Sequence, residues 1–274
     1  MFGEFELSSS GVVVSGTTSA KPMLSFQDFS VRCDTSDPKI SFIHSWNWDV
    51  IQGKKLSLIT TNPYLRYQLI ACLAGLVSPV TGEAIPHGVI SWPVGEQGGL
   101  DGKLRVSHAI DFLSIIYGDC LAFSRVSIDE FWDLLSGVNI RGDFLIKELS
   151  KLQKEFFYLS LSVLFSFDCY LVYKTKFLES KPAKSLRPLL LRQLEGKTLI
   201  TTSANNSFRS EFCTEGLVLS SRGELLFEGE LREAIKWSRC NLKKSDDSVS
   251  DRDDAEVGDW LKNDEHSVGL NDEF

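Results

Sequence analysis

Cysteine and histidine, the side chains that most often bind metals or act as nucleophiles, are scattered in this chain. The six cysteines include no Cys-x-x-Cys pair, and the four histidines show no spacing typical of a ligand set. This usage is typical of free thiols in a reducing cytosol, and it predicts neither a disulfide framework nor a metal site. The residues are Cys33, Cys72, Cys120, Cys169, Cys213, Cys240, His44, His87, His108 and His266.

Charge is concentrated at the C-terminal end. The formal net charge is −8, and the segment 241–274 holds eleven acidic residues against four basic ones. The remainder is close to neutral, so nucleic acid is not an expected partner. We predict a disordered acidic tail over 241–274, because its apolar content is too low for independent folding. A flexible arm rich in Ser, Gly and Thr is predicted over 1–20.

Membrane-spanning and secretory segments are not expected. No apolar run reaches the roughly 18 residues that a membrane-spanning helix needs. The N-terminal residues MFGEFELSSS carry two glutamates and no basic cluster before an apolar core, unlike a secretory signal. The sequence therefore predicts a cytoplasmic protein, and 274 residues suffice for one large domain with a small subdomain.

The elements that must position any site alternate between strands and helices. Predicted strands are LSFQDFSVR, SFIHSWNWDV, KKLSLIT, VISWPVG, YLVY, TLITTS and GLVLSS, with SPVTGE as a turn and GELLFEG running into one. Predicted helices cover 65–76, most of 103–150, 149–166, PAKSLRPLLLRQLEG closed by Gly196, and LREAIKWS. This order predicts an α/β protein with one domain over 21–240 and a helical insert at about 103–150.

The same order of segments resembles the ABC-transporter ATPases, which are P-loop NTPases, and above all the ATP-binding subunits of capsular-polysaccharide and O-antigen exporters. The match covers roughly residues 24–237. The stretches that carry it are GKKLSLITTNPYLRYQLIACLAGLVSPVTGE, GVISWPVGEQGGLDGKLRVSHAIDFLSIIYG, LSKLQKEFFYLSLSVLFSFDCYLVYK and TLITTSANNSFRSEFCTEGLVLSSRGELLFEGELREAI. The resemblance implies an ABC-ATPase-like sheet core with a helical subdomain.

The resemblance also implies a phosphate-binding loop at residues 60–68, where the residues present are unsuited to that task. A working loop needs glycines with left-handed torsions, free backbone N–H groups, a Lys for the phosphates and a Ser or Thr for Mg²⁺. Pro63 has no N–H group. A left-handed backbone conformation would cost about 1–2 kcal/mol at each of Tyr64 and Leu65. The residues in this frame are Thr60, Thr61, Asn62, Pro63, Tyr64, Leu65, Arg66, Tyr67 and Gln68.

Arg66 takes the place of the phosphate-binding Lys, and Tyr67 that of the small hydroxyl beside Mg²⁺. A guanidinium keeps the positive charge but is planar, so Arg66 either still binds a phosphate or is a surface residue beside a closed loop. The acid pair, of which Asp orders Mg²⁺ and Glu polarises the attacking water, aligns with Tyr173 and Lys174. Asp168 lies at the opposite end of that strand, and we expect it to be structural.

The remaining family positions are changed as well. The signature motif aligns with residues 149–153, which keep Ser150 but have Leu152 at the glycine position. The Q-loop glutamine aligns with Asp101. The switch histidine falls near Ser203 or Ala204, the adenine-stacking aromatic near Arg32 or Cys33, and the Gly-Asp of the following loop at Glu179 and Ser180.

From these losses we expect a catalytically inactive pseudo-ATPase with no ATP or Mg²⁺ cofactor, a structural or regulatory subunit in bacterial capsular or surface polysaccharide export or assembly. The partners that the resemblance implies are a transmembrane subunit, an active ABC ATPase subunit or glycosyltransferases, at the inner face of the inner membrane. Two alternatives remain: an ATP-binding exporter subunit with unorthodox residues, such as Arg66 and Asp101, or a regulatory module whose closed cleft takes another ligand.

A partner groove is expected near the Q-loop, because ABC ATPases receive the coupling helix of the transporter there. In this sequence the region contains Trp92, Pro93, Gly99 and Leu100, together with further glycines. The alternative interpretation of the same residues is ordinary core aromatics and turn glycines.

Overall fold

The computed structural model describes residues 21–33, 44–175 and 182–242. The predicted N-terminal arm and all but two residues of the predicted tail lie outside this part of the chain. The described residues form two sheets and a group of helices. Within them, no helix combines the length and the apolar character needed to cross a bilayer.

The larger sheet is mostly parallel. Its strand order is β5 (Ile90–Pro93), β6 (Cys169–Val172), β7 (Thr198–Thr201), β3 (Lys55–Ile59), β8 (Glu215–Leu219) and β9 (Leu225–Glu230). Only β9 runs antiparallel, paired with β8. Every residue of β6 and β7 is buried, as expected for parallel strands that are covered on both faces.

A smaller antiparallel sheet consists of β1 (Pro22–Ser30), flanked by β2 (Asp49–Ile51) and β4 (Thr81–Pro86). The sequence SPVTGE was predicted to be a turn, and that prediction is wrong for its second half. Thr81 starts a strand that pairs with β1, and the Thr81 and Ser30 hydroxyl oxygens lie 2.8 Å apart. The strand is mostly solvent-exposed, so its sequence has no apolar alternation.

Helices lie against both sheets. They are α1 (Pro63–Leu73), α2 (Val106–Ile116), α3 (Gly118–Ala122), α4 (Ile128–Gly137), α5 (Lys151–Leu164), α6 (Arg187–Leu194), α7 (Asn206–Phe212) and α8 (Leu231–Asn241). α1 packs between the two sheets through Leu65, Leu69 and Ile70. α2 to α5 join β5 to β6 and share a core that includes Trp92, Phe157 and Phe167.

The segment predicted as one helix over 182–196 is divided. A 3₁₀ turn covers Pro182–Ser185, and α6 begins only at Arg187. Pro188 lies in the first turn of α6, the position where a missing N–H group is tolerated, so the helix starts beside it instead of running through it. Gly196, with φ of +72°, follows the end of α6.

Candidate functional site

Residues aligned with the phosphate loop form the first turn of α1. The helix begins at Pro63, and Asn62 is its N-cap, with φ of −83° and ψ of 108°. Asn62 Oδ1 accepts a hydrogen bond from Leu65 N–H at 3.1 Å, and Asn62 O accepts one from Arg66 N–H at 3.2 Å. No residue of 60–68 has a positive φ. The aligned residues therefore form a capped helical turn, and Arg66 lies inside the helix.

Asn62 also ties this turn to its surroundings. Its Nδ2 donates to Cys33 O at 2.7 Å and to Ser221 O at 2.8 Å. Its own N–H donates to Thr60 Oγ1 at 3.3 Å, and the Thr60 hydroxyl donates to Ser220 O at 3.2 Å. The N–H groups of Asn62, Leu65 and Arg66, which a phosphate would need as donors, are thus engaged within the protein.

Replacing Asn62 by alanine is expected to lower the free energy of unfolding by about 2–3 kcal/mol, because it removes the N-cap and two further hydrogen bonds. Urea denaturation measures the loss. Asn62→Ser is the matched control: it keeps a capping oxygen but not the Nδ2 donors, so its expected loss is smaller, about 1–2 kcal/mol. Equal stability of Asn62→Ala and the wild type would contradict the assigned role.

The two tyrosines that align with the family's Mg²⁺-binding positions pack against each other. The rings of Tyr67 and Tyr173 meet edge to face, with centroids 5.7 Å apart, and Tyr173 is only 8% exposed. Mg²⁺ prefers carboxylate, phosphate and water oxygens in an octahedral arrangement, which a pair of packed rings does not provide. In the described ranges, no three His, Cys, Asp or Glu side chains come together as a metal site.

Lys174, at the position of the catalytic glutamate, is held in place by an acid from another strand end. Its Nζ lies 3.3 Å from Glu96 Oε1, just after β5, and 5.4 Å from the centroid of the Tyr173 ring. The ammonium group cannot accept a proton from water, so this residue offers no general base.

The two aspartates considered at the sequence level have local structural contacts. Asp168, before β6, accepts a hydrogen bond from Val89 N–H and lies 3.2 Å from Lys197 Nζ. Asp101 is exposed, and its Oδ1 accepts from Lys103 N–H at 2.8 Å in the turn that leads towards α2. These contacts fix turns and strand ends.

The signature position is the N-terminus of α5. Ser150 is the N-cap, and it forms a reciprocal capping box with Gln153. Gln153 Nε2 also donates to Val138 O at 3.1 Å. Leu152 projects at the same helix end, 47% exposed. The retained Ser and Gln therefore stabilise the helix, and a bulky apolar side chain stands where the family has a glycine.

The switch position lies next to buried hydroxyl groups. Ser203 is 2% exposed, and its Oγ is 3.2 Å from Thr175 Oγ1, while Ala204 is at the surface. At the adenine position, Cys33 is buried and Arg32 is exposed. Glu179 and Ser180 lie outside the described residues.

The apolar residues of the predicted partner groove are buried in the structure. Trp92 is 7% exposed, and its ring lies 5.1 Å from that of Phe167 and 5.4 Å from that of Tyr117. Pro93 and Leu100 are also buried, while Gly99, with φ of +77°, is exposed. Although β5 is an edge strand of the larger sheet, the Trp92 side chain is covered by the rings of Tyr117, Phe165 and Phe167.

An exposed apolar face nearby was missed at the sequence level. Phe112, Ile115 and Ile116 on α2 are 48%, 84% and 53% exposed, and Phe123 after α3 is 76% exposed. The opposite face of α2 is buried through Val106, Ala109, Ile110 and Leu113. The sequence shows that α2 is apolar on two faces, but it does not show which of the two faces the core covers.

Curated relatives of this chain are ATP-binding proteins, two of which are named for capsule polysaccharide export and polysialic acid transport. The chain is 25% identical over 210 residues to the capsule polysaccharide export ATP-binding protein CtrD of Neisseria meningitidis serogroup B, which covers 75% of this chain and 94% of CtrD. It is 27% identical over 188 residues to the polysialic acid transport ATP-binding protein KpsT of Escherichia coli, covering 67% and 84%. It is 24% identical over 179 residues to the ATP-binding protein BexA of Haemophilus influenzae, covering 64% and 79%. The resemblance indicated by the sequence motifs is confirmed.

Solved structures agree on the fold, although no family model matches the chain. An inward-facing metal-chelate type ABC transporter superposes with a TM-score of 0.56 at 15% identity, covering 78% of this chain and 85% of that one. The ATP-binding subunit of an ABC transporter gives a TM-score of 0.56 at 16% identity, covering 77% and 91%. The predicted α/β class, with the sheet core of the ABC ATPases, is confirmed.

Proposed function

We propose that this chain, a homologue of the ATP-binding subunits of capsule polysaccharide exporters, serves in such an export system as a subunit that does not hydrolyse ATP. The observation that carries the proposal is the first turn of α1, where helix and N-cap take the place of a phosphate loop. The N–H groups of Asn62, Leu65 and Arg66 are engaged within the protein and are not free to bind a triphosphate.

The side chains that align with the metal-binding and catalytic positions of the family support the same proposal. Tyr67 and Tyr173 pack against each other where Mg²⁺ would need oxygen ligands, and Lys174 stands where a base is needed. Loss of a general base alone typically costs a factor of about 10²–10⁴ in rate. MgATP does not fit these residues, so no catalytic step is assigned to the chain.

A structural role requires a partner surface, and the exposed face of α2 supplies one. Phe112, Ile115 and Ile116 stand three and four residues apart, so they form one apolar stripe. We propose the transmembrane subunit of the exporter as the partner that covers this stripe, which would place the chain at the cytoplasmic face of the membrane. An intact ATPase subunit or glycosyltransferases are further candidate partners.

Nucleotide binding tests the proposal directly. A fluorescent ATP analogue is titrated with Mg²⁺ into the wild type and into Arg66→Ala, and phosphate release is followed in both. We expect no saturable binding up to about 1 mM, the weak end of the range of specific affinities, and equal background hydrolysis. Micromolar binding that disappears in Arg66→Ala would contradict the proposal and favour an ATP-binding subunit with unorthodox residues.

A further inference from the structure

The last helix, α8, carries three cations on one solvent-exposed face. Arg232, Lys236 and Arg239 are all exposed and stand four and three residues apart, so their side chains form a row along the helix. We call this row the basic stripe. Within the part of the chain that the structure describes, none of the three side chains forms an ion pair. The stripe is therefore open to an anionic group from outside the described residues.

The opposite face of α8 is fixed to the larger sheet. Leu231 and Ala234 are buried, and Gly216 on β8 allows such a close approach that a Cβ there would lie 2.5 Å from the Ala234 Cβ. On β9, Phe227 stacks against Trp237 of α8, with ring centroids 5.8 Å apart. These contacts hold the helix in one orientation, so the basic stripe is presented to solvent by a packed element.

The helix dipole explains only part of the basic stripe. Arg239 lies in the last turn, where the dipole favours a cation, but Arg232 lies in the first turn, where the dipole disfavours one. Glu233, the only acid of α8, is turned towards β9, because its Oε2 would lie 3.7 Å from a Cβ on Gly229. A carboxylate placed beside Arg232 would gain from the guanidinium and from the dipole together.

The chain itself continues from α8 into acidic residues. Leu242 follows the helix with an extended backbone, and its side chain packs against the small core under α8. The segment 246–259 begins four residues later and holds seven acidic residues against one arginine. We call it the acidic segment, and it lies outside the described residues. Its charge is opposite to that of the basic stripe, and the chain tethers it to the end of the same helix.

We propose that the acidic segment folds back and lies along the basic stripe of α8. The helix between Arg232 and Leu242 is about 15 Å long, and about five residues of extended chain cover that length. The three residues 243–245 provide the reverse turn. A tether this short gives an effective concentration in the millimolar range, which favours the acidic segment over an unlinked anion. The contact shields the stripe from other polyanions, and it is independent of the proposed function.

Zero-length cross-linking of the full chain tests the contact. A carbodiimide joins a lysine amine to a carboxylate that touches it, and mass spectrometry identifies the linked peptides. At about 20 mM salt we expect links from Lys236 to the acidic segment, in a yield that does not depend on protein concentration. At about 500 mM salt the screening length falls to roughly 4 Å, so the yield should fall at least about fivefold. Lys151, an exposed lysine on α5, is the matched control and should give no such link.

Charge variants on each side of the contact provide a second test. Arg232→Gln combined with Arg239→Gln should lower the yield of Lys236 links about fivefold, because one cation remains of three. Asp251→Asn, Asp253→Asn and Asp254→Asn together should lower the links to the remaining carboxylates of the acidic segment in the same way. Both sets of changes are at polar positions and should leave the Tm of the described domain unaltered.

Vesicles containing about one-third anionic phosphatidylglycerol report whether the stripe is shielded. The triple Asp→Asn variant should bind them at least about tenfold more tightly than the wild type, because three basic side chains near an anionic surface attract it strongly. This gain should disappear when Arg232→Gln and Arg239→Gln are added. A Lys236 yield no higher than that of Lys151 would overturn the proposal. A yield that rises with protein concentration would assign the stripe to a second copy of the chain, and equal vesicle binding by the wild type and the triple variant would assign it to a membrane surface.

Discussion

Trp92→Ala should lower the free energy of unfolding by about 3–5 kcal/mol, the usual cost of removing a large aromatic side chain from a core. The Trp92 ring packs against Tyr117, Phe165 and Phe167. It also supports the turn after β5, since a Cβ on Gly98, which has φ of +62°, would lie 3.4 Å from the ring. The variant would therefore loosen the β5 turn together with the helical region. Chemical denaturation, followed by circular dichroism, measures the loss.

Ile115→Ala is the matched control for that experiment. Ile115 is 84% exposed on the face of α2 that the core does not cover, so its truncation should change the unfolding free energy by less than about 0.5 kcal/mol. The pair separates the two interpretations of the predicted groove. If Trp92→Ala were as stable as Ile115→Ala, the tryptophan would have to be a surface residue, and the partner groove would be revived as first predicted.

Apolar pattern was enough to predict most of the sheet. The runs YLVY and TLITTS become β6 and β7, because continuous burial on both faces leaves a continuous apolar sequence. The same reasoning failed for β4, whose exposed residues carry no such pattern and whose strand conformation depends on pairing with β1. A strand that forms because it pairs with a strand distant in sequence cannot be predicted from its own residues alone.

The sequence identified the residues at the candidate site, but it predicted their conformation only in part. Pro63 and Asn62 suggested a disabled loop, and the structure adds that they start a helix, as a proline at N1 behind an Asn cap does. The burial of Arg209 without an ion pair to any described residue was not predictable, because burial and pairing depend on three-dimensional contacts.

Tyr173→Asp, which restores the family's metal-binding acid, is expected to destabilise the chain by about 3–5 kcal/mol, because it buries a carboxylate without a dedicated partner. The position is 8% exposed, its ring contact with Tyr67 is lost, and the neighbouring Lys174 is engaged by Glu96. Adding Mg²⁺ to about 10 mM should not recover stability, since a ligand stabilises only a folded state that binds it. Tyr173→Phe, which keeps the ring, should lose no more than about 1 kcal/mol.

Recovery of the Tm of Tyr173→Asp by Mg²⁺ would mean that the carboxylate reaches an open metal site. Tyr67 and Tyr173 would then cover a nucleotide site that can open, and the proposal of a subunit that does not hydrolyse ATP would be contradicted.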